Sequence, residues 1–258
     1  MERKKYNKHF FEPEDALENY PYKIDISIQE KYEKINKFFN SIYPEKILEK
    51  AKKDAKKEQE DRNLDKNNFI YGETTFRTIS YLLEYLTNTL KIDSNGFFYD
   101  LGSGIGRGIL AATLCYSFKK YIGIEYLEQI YKDSIEIKNE YIKQLPKFIK
   151  DMKEQNIFPN YNFDNNNNLP NILFINNDFL NENLSEGSLI FTNSTCFTQE
   201  LLDKIAEKVN KEVKIGCIVV TTTRPLKLDK EKWDILKGVK RMMSWGVASI
   251  FVHKKNKE

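Results

Sequence analysis

From Phe69 onward the apolar residues follow two alternating rhythms. Phe76, Ile79, Leu82, Leu83, Leu86 and Leu90 recur at spacings of three and four, which predicts an amphipathic helix opened by Thr74-Thr75 as cap candidates. After the turn residues Ser94-Asn95-Gly96, the short apolar run Phe97 to Leu101 reads as a strand, and a glycine-rich turn leads from it into a helix over residues 106–117. Strands are predicted again at 121–125, 172–176, 189–193 and 216–222, with a last apolar strand at 245–253. Helices at about 127–155 and 198–210 separate them. Alternation of this kind predicts an α/β fold, a mostly parallel sheet with helices on both faces, whose ligands bind at the carboxyl ends of the strands.

The first 68 residues differ in kind. A long helix is predicted from about 28 to 60, broken near Pro44, and residues 45–61 hold six Lys and six Asp or Glu at helical spacing. Such interleaved charge reads as a solvated helix face rather than a basic arm for nucleic acid. The expected organisation is a mainly helical region at 1–68 followed by an α/β domain at 69–258. Between the long second helix and the third strand, residues 160–168 include six Asn in nine and are expected to form a low-complexity loop.

Composition narrows the function classes by exclusion. Forty-one Lys and Arg against 38 Asp and Glu leave a charge of only +3, so charge alone points to neither nucleic acid nor a membrane surface. No apolar run approaches the roughly 18 residues of a membrane helix, and Met1-Glu2-Arg3-Lys4-Lys5 precedes no signal-peptide core, so a soluble intracellular chain is expected. Cys115, Cys196 and Cys217 show no C-x-x-C spacing, which argues against a disulfide framework or a zinc site, and no metal is expected. With His9 and His253 as its two histidines, the chain is a poor candidate for a triad hydrolase. Trp233, Trp245 and Cys196 are expected to be packing residues.

The sharpest motif is Asp100-Leu101-Gly102-Ser103-Gly104-Ile105-Gly106-Arg107-Gly108, with Glu125 closing the next strand. Glycines directly after a strand let the backbone turn tightly and approach a ligand. A dinucleotide would need G-x-G-x-x-G or Ala in the last place, and neither Gly102 nor Gly104 starts such a register; Gly106 reaches Ala111 but lies too far past the strand. The pattern is instead acid-x-Gly-x-Gly-x-Gly, which resembles the first motif of class I S-adenosylmethionine methyltransferases. An acid ending the second strand can accept hydrogen bonds from two ribose hydroxyls, as Glu125 would. After the third strand, Asp178 could accept from an adenine amino group while Phe179 stacks on the ring. The loop after the fourth strand, Ile190 to Phe197, would face the transferring methyl, with Asn193 placed to position an amine or the cofactor.

Five segments in order also resemble one family, the disruptor-of-telomeric-silencing histone lysine methyltransferases, a non-SET family sometimes called Dot-one. They are Tyr71-Gly72-Glu73-Thr74-Thr75-Phe76, Tyr99 to Gly106, Gly123-Ile124-Glu125, Asn177-Asp178-Phe179-Leu180 and Ile190 to Phe197, and the likeness runs from about Phe69 to His253. The resemblance implies a Rossmann-like class I fold, a seven-stranded mostly parallel sheet with a helical amino-terminal part. It implies methyl transfer from S-adenosylmethionine to a lysine of a structured protein, with Tyr71, Glu73 and Thr74 in a loop over the cofactor. Asp100, Gly102, Ser103, Gly104, Gly106, Glu125, Asp178, Phe179 and Asn193 would bind the cofactor. Asn193, Tyr71 and Phe197 would act at the lysine channel. A histone or nucleosome is the implied partner, with nucleic acid touched only through a nucleosome, no membrane, a monomeric chain, and a nuclear location if the acceptor is a histone, otherwise a cytoplasmic one. The chain departs from the family pattern at Ser194 and Thr195, where the family has Asn and Phe, and near Ile250, where the family carries a channel aromatic. A non-histone protein or a small molecule is therefore the alternative acceptor.

Overall fold

The computed structural model describes residues 26–65, 68–69, 72, 74–154, 169–243 and 246–257. Two helices come first, α1 (Ile26–Ile42) and α2 (Glu45–Asp61), and they part at Pro44, whose ring excludes a donor from the ladder. Next is α3 (Phe76–Tyr85), capped by Thr75, whose hydroxyl accepts from Thr78 N at 3.1 Å. It runs into a π-helical turn, Leu86–Leu90, so the predicted helix is present but changes its winding in the last turn.

Seven strands follow: β1 (Phe97–Leu101), β2 (Lys120–Glu125), β3 (Ile172–Asn176), β4 (Gly187–Thr192), β5 (Ile218–Thr222), β6 (Trp233–Met243) and β7 (Gly246–Lys255). Their order in the sheet is β3-β2-β1-β4-β5-β7-β6. The first five pair in parallel and β7 inserts antiparallel between β5 and β6. Crossovers are made by α4 (Arg107–Thr113), α5 (Glu128–Glu154) and α6 (Gln199–Glu212). The parallel strands lie where the alternation predicts them, and the seven-stranded, mostly parallel sheet with helices ahead of it is the expected class.

Two differences from the sequence expectation exceed two residues. The helix after the glycine turn stops at Thr113 rather than 117. The closing element is a long hairpin, β6 and β7, rather than one strand. Strand β6 was not predicted, because Asp234-Ile235-Leu236-Lys237-Gly238-Val239-Lys240-Arg241 carries charge and a glycine where a strand signal would alternate cleanly. Its pairing with β7 shifts register between Leu236 and Val239, around that glycine.

Period-2 alternation divides the sheet between two cores. Phe98, Leu189, Phe191, Ile218 and Val220 face one side, packed with apolar residues of α1 to α5. Tyr99, Leu101, Ile190, Val219 and Trp233 face the other, with Leu202, Ile205 and Val209 of α6. Phe39, Ile42, Tyr43, Ala51 and Ala55 put α1 and α2 in the first of these cores. The 160–168 stretch and Trp245 lie outside the described residues. Trp233 is buried, as expected, and its indole N–H donates to Asn210 Oδ1 at 3.1 Å.

Candidate active site

Strand β1 carries Asp100 and Leu101 to the carboxyl edge of the sheet, at the point where chain order reverses between β1 and β4. The turn that follows holds Gly102, Gly104 and Gly106 at φ of 76°, 55° and 85°, a left-handed region where any other residue is strained. Space is as limiting as torsion. A β-carbon on Gly106 would come within 2.4 Å of Phe174 Cζ, and one on Gly108 within 2.2 Å of Asp100 Oδ2. Gly108, the last glycine of the motif, is thus the residue that lets the Asp100 carboxylate lie against the start of α4. No spacing rule for cofactor glycines flags it; only the packing does.

Glu125 is 8% exposed and tied into the turn. Its Oε2 accepts from Gly104 N at 2.9 Å and its Oε1 from Leu127 N at 2.8 Å. Two backbone donors use part of the roughly four lone-pair positions of a carboxylate, so capacity for a ligand hydroxyl remains. Burial pushes the Asp100 carboxyl well above the ordinary carboxylate range, and the neighbouring Glu125 charge pushes the same way. Burial also raises Glu125, against the lowering effect of its backbone donors. Two carboxylates held in a poorly hydrated site favour a cationic visitor. Thr74 Oγ1 and Ser103 Oγ are buried with no hydrogen-bond partner among the described residues. A ligand that is cationic and rich in hydroxyl and amino groups fits this donor and acceptor set; S-adenosylmethionine, with its ammonium, sulfonium, ribose and adenine, is such a ligand.

After β3, Asp178 turns its Oδ1 back to cap Leu180 N at 2.8 Å, which starts the 3₁₀ turn Phe179–Asn181. The Phe179 ring stacks near Phe197, with centroids 6.0 Å apart and planes 26° from parallel. Phe197 in turn lies 3.7 Å from the point a β-carbon on Gly102 would occupy. The loops after β1, β3 and β4 therefore converge through Gly102, Phe197 and Phe179.

Asn193 follows β4. Its Nδ2 donates to Gly72 O at 3.0 Å, and its Oδ1 accepts from Thr195 Oγ1 at 3.2 Å and Thr222 Oγ1 at 3.0 Å. This side chain therefore ties the segment around Gly72 to the end of the sheet. Ser194 Oγ donates to Thr222 O, Thr223 Oγ1 donates to Thr195 Oγ1, and Arg224 Nη2 donates to Phe197 O. Thr223 has φ 69°, costly for a β-branched residue, and is held there by that bond and by its N–H to Ser249 O at 2.6 Å. The two departures from the family pattern, Ser194 and Thr195, are thus members of one hydroxyl network linking β4 to β5.

Below it, His253 is fully buried, its Nδ1 paired with Val219 O at 2.9 Å and its Nε2 accepting from Leu226 N at 3.1 Å. Burial pulls its pKa down to about 4, so the ring stays neutral and structural. Burial likewise raises the Cys196 thiol, which suits a packing residue rather than a nucleophile.

Of the residues singled out in sequence, Thr74, Asp100, Gly102, Ser103, Gly104, Gly106, Glu125, Asp178, Phe179, Asn193 and Phe197 are described, and all sit at the carboxyl edge of the sheet or in the segments hydrogen-bonded to it. Tyr71 and Glu73 lie outside the described residues.

A parallel sheet in this order, with an antiparallel β7 and an acid-flanked glycine turn, defines an S-adenosylmethionine-dependent class I methyltransferase. Residues 62–243 match the family described as Histone methylation protein DOT1, which is most of the chain, and the protein belongs to that family. It is a methyltransferase, and its cofactor is S-adenosylmethionine. No curated protein matches the chain by sequence. Solved structures similar to it include an RNA methyltransferase from Salinibacter ruber in complex with S-adenosyl-L-homocysteine, at 17% identity and TM-score 0.41 over 69% of this chain and 92% of that one. Also similar are a putative RNA methyltransferase from Pyrococcus horikoshii, at 15% identity and TM-score 0.48 over 72% and 86%, and the magnesium protoporphyrin IX methyltransferase from Synechocystis PCC 6803, at 9% and 0.44 over 70% and 79%. Among the described residues no helix is long and apolar enough to cross a membrane.

Proposed function

We propose that the protein methylates a lysine side chain of a protein, with a core-histone lysine as the acceptor and the nucleus as its place of work. The observation that carries this reading is the membership of a histone methylation family, together with Phe197 packed against Gly102 of the glycine turn and Asn193 bonded to Gly72. In this reading Asp100, Gly102, Ser103, Gly104, Gly106, Glu125, Asp178 and Phe179 bind S-adenosylmethionine, with Tyr71, Glu73 and Thr74 closing over it. Asn193, Phe197 and Tyr71 form the acceptor side. The protein works as a monomer, meets nucleic acid only through a nucleosome and has no membrane partner.

The cofactor supplies an electrophilic sulfonium methyl. The protein's part is to deliver a neutral amine in line with it. A free lysine has a pKa near roughly 10.4, and an apolar, aromatic entrance lowers that value by penalising the ammonium, so no dedicated base is needed. Phe197 supplies such surface, backed by the Phe179 ring on which it stacks, and Asn193 holds the Gly72 segment in register. Alignment then carries most of the remaining rate.

The test is incubation with radiolabelled S-adenosylmethionine and nucleosomes or free histones. Label is expected in a histone band, and Asn193→Ala is expected to remove it; absence of label from every protein fraction contradicts the reading. A second acceptor class, a non-histone protein or a small molecule, is favoured by the Ser194, Thr195, Thr222 and Thr223 network, which puts hydroxyls where the family has an aromatic. In a labelled cell lysate it predicts a strong non-histone band, or label in the small-molecule fraction.

A further inference from the structure

Helix α5 begins with Glu128 and is preceded by Leu127, a residue with no side-chain acceptor for the exposed N–H groups of the first turn. The acceptor comes from 70 residues upstream. Glu58 of α2 takes Glu128 N on Oε1 at 2.8 Å and Gln129 N on Oε2 at 2.9 Å, a carboxylate placed where the helix dipole favours it. Arg62, one turn further along, donates to the same Glu58 Oε1 at 2.7 Å and to Tyr126 O at 3.4 Å. Its guanidinium sits 4.5 Å from the centroid of the Tyr126 ring. Tyr126 is the residue after Glu125, so α2 grips both ends of the corner between β2 and α5. On the far side of that corner Asn176 Nδ2 donates to Glu125 O at 2.9 Å and to Tyr126 O at 3.2 Å. Between these walls lies a pocket of about 270 Å³, with Glu58 and Arg62 on one side, Tyr126 and Glu128 on the second, and residues 176–178 on the third.

We propose that Glu58 and Arg62 are positioning residues of the cofactor site: α2 clamps the β2–α5 corner and so sets where Glu125 and Tyr126 stand against the adenosine end of S-adenosylmethionine. The proposal rests on the reading of Glu125 and Asp178 as cofactor residues. Glu58 precedes the stretch that matches the family, 62–243. The clamp is a hydrogen-bonded carboxylate and a stacked guanidinium, which fix direction as well as distance.

Calorimetric titration of the full chain with S-adenosylhomocysteine, alongside steady-state methylation, tests it. Glu58→Ala is expected to raise Kd about tenfold, the order of a lost charge-assisted helix cap, with the loss in the cofactor's KM rather than in kcat. The comparison variant is Lys50→Ala, which removes the 2.6 Å ion pair between α2 and Asp133 of α5 but leaves the Glu58 and Arg62 contacts with the corner in place. It is expected to leave Kd within about twofold, as befits a pair of which the lysine is half exposed. Equal weakening by both, or an unchanged Kd in Glu58→Ala, overturns the proposal. If Glu58→Ala does not fold, Arg62→Ala reads the same wall, and an unchanged Kd there also overturns it. Glu125→Ala separates the two levels: loss of binding there with none at Glu58 overturns only the clamp, whereas no loss at either overturns the site reading beneath it.

Discussion

The two halves of the site's edge are built on opposite plans. On the β1–β2 side, backbone and buried charge do the work: three left-handed glycines, two buried carboxyls, and the Thr74 and Ser103 hydroxyls, which have no partner among the described residues. On the β4–β5 side nearly every polar group is answered by another, with Asn193, Ser194, Thr195, Thr222 and Thr223 closed into one network. The first half keeps buried acceptors and hydroxyls with bonding capacity to spare, and the second is a frame whose polar groups bond to one another. The difference also runs through their response to pH.

The largest effect is expected at Glu125. Glu125→Ala orphans Gly104 N and Leu127 N, at about 1–3 kcal/mol for each buried donor, and should abolish measurable cofactor binding in a calorimetric titration. Retained binding would mean that the turn, not the acid, carries the site.

Next is the opposed pH dependence. His253 has a folded pKa depressed to about 4 against an unfolded value of 6.5, so the stability it contributes is complete above pH 6.5 and is lost as pH falls toward 4. That loss is on the order of 3 kcal/mol. Asp100 and Glu125 are shifted upward, so in the free protein their contribution is complete below the ordinary carboxylate range and is lost as pH rises through their folded values. A bound cation offsets that loss. Thermal melts from pH 4.5 to 8 should therefore show the His253→Gln variant less sensitive to acid than the parent, and a cofactor-induced rise in Tm that grows with pH. A cofactor effect that shrinks with pH would reverse the assignment of the two halves.

The smallest effect separates frame from pocket. Thr195→Val removes the hydroxyl that joins Asn193 to Thr223, at about 1 kcal/mol of stability. Cofactor Kd should stay within about twofold while the acceptor's KM rises, since the hydrogen bonds lost lie beside the acceptor loop rather than the glycine turn.

This contrast also explains what was legible in the residues alone. The glycine turn, Glu125 and the parallel strands are written locally, as short runs with fixed neighbours, and the structure has them at the expected places. Strand β6 is illegible in the sequence because charged residues and Gly238 interrupt its alternation, a pattern that an edge strand permits. The need for glycine at 108 comes from the Asp100 carboxylate, not from a motif. The Glu58 cap on α5 joins residues 70 apart, and its helix reads in sequence as an ordinary run of mixed charge. Asn193 was expected to face a ligand, and its amide is engaged with Gly72, Thr195 and Thr222, contacts that no spacing in the chain announces.

The most direct measurement is mass spectrometry of proteins after incubation with S-adenosylmethionine, across a panel of nucleosomes, free histones and cell lysate, comparing the parent chain with Glu125→Ala. The account predicts methyl increments on lysine residues of a histone, present with the parent and absent with the variant. Methylation confined to residues other than lysine, or to the small-molecule fraction, would contradict it.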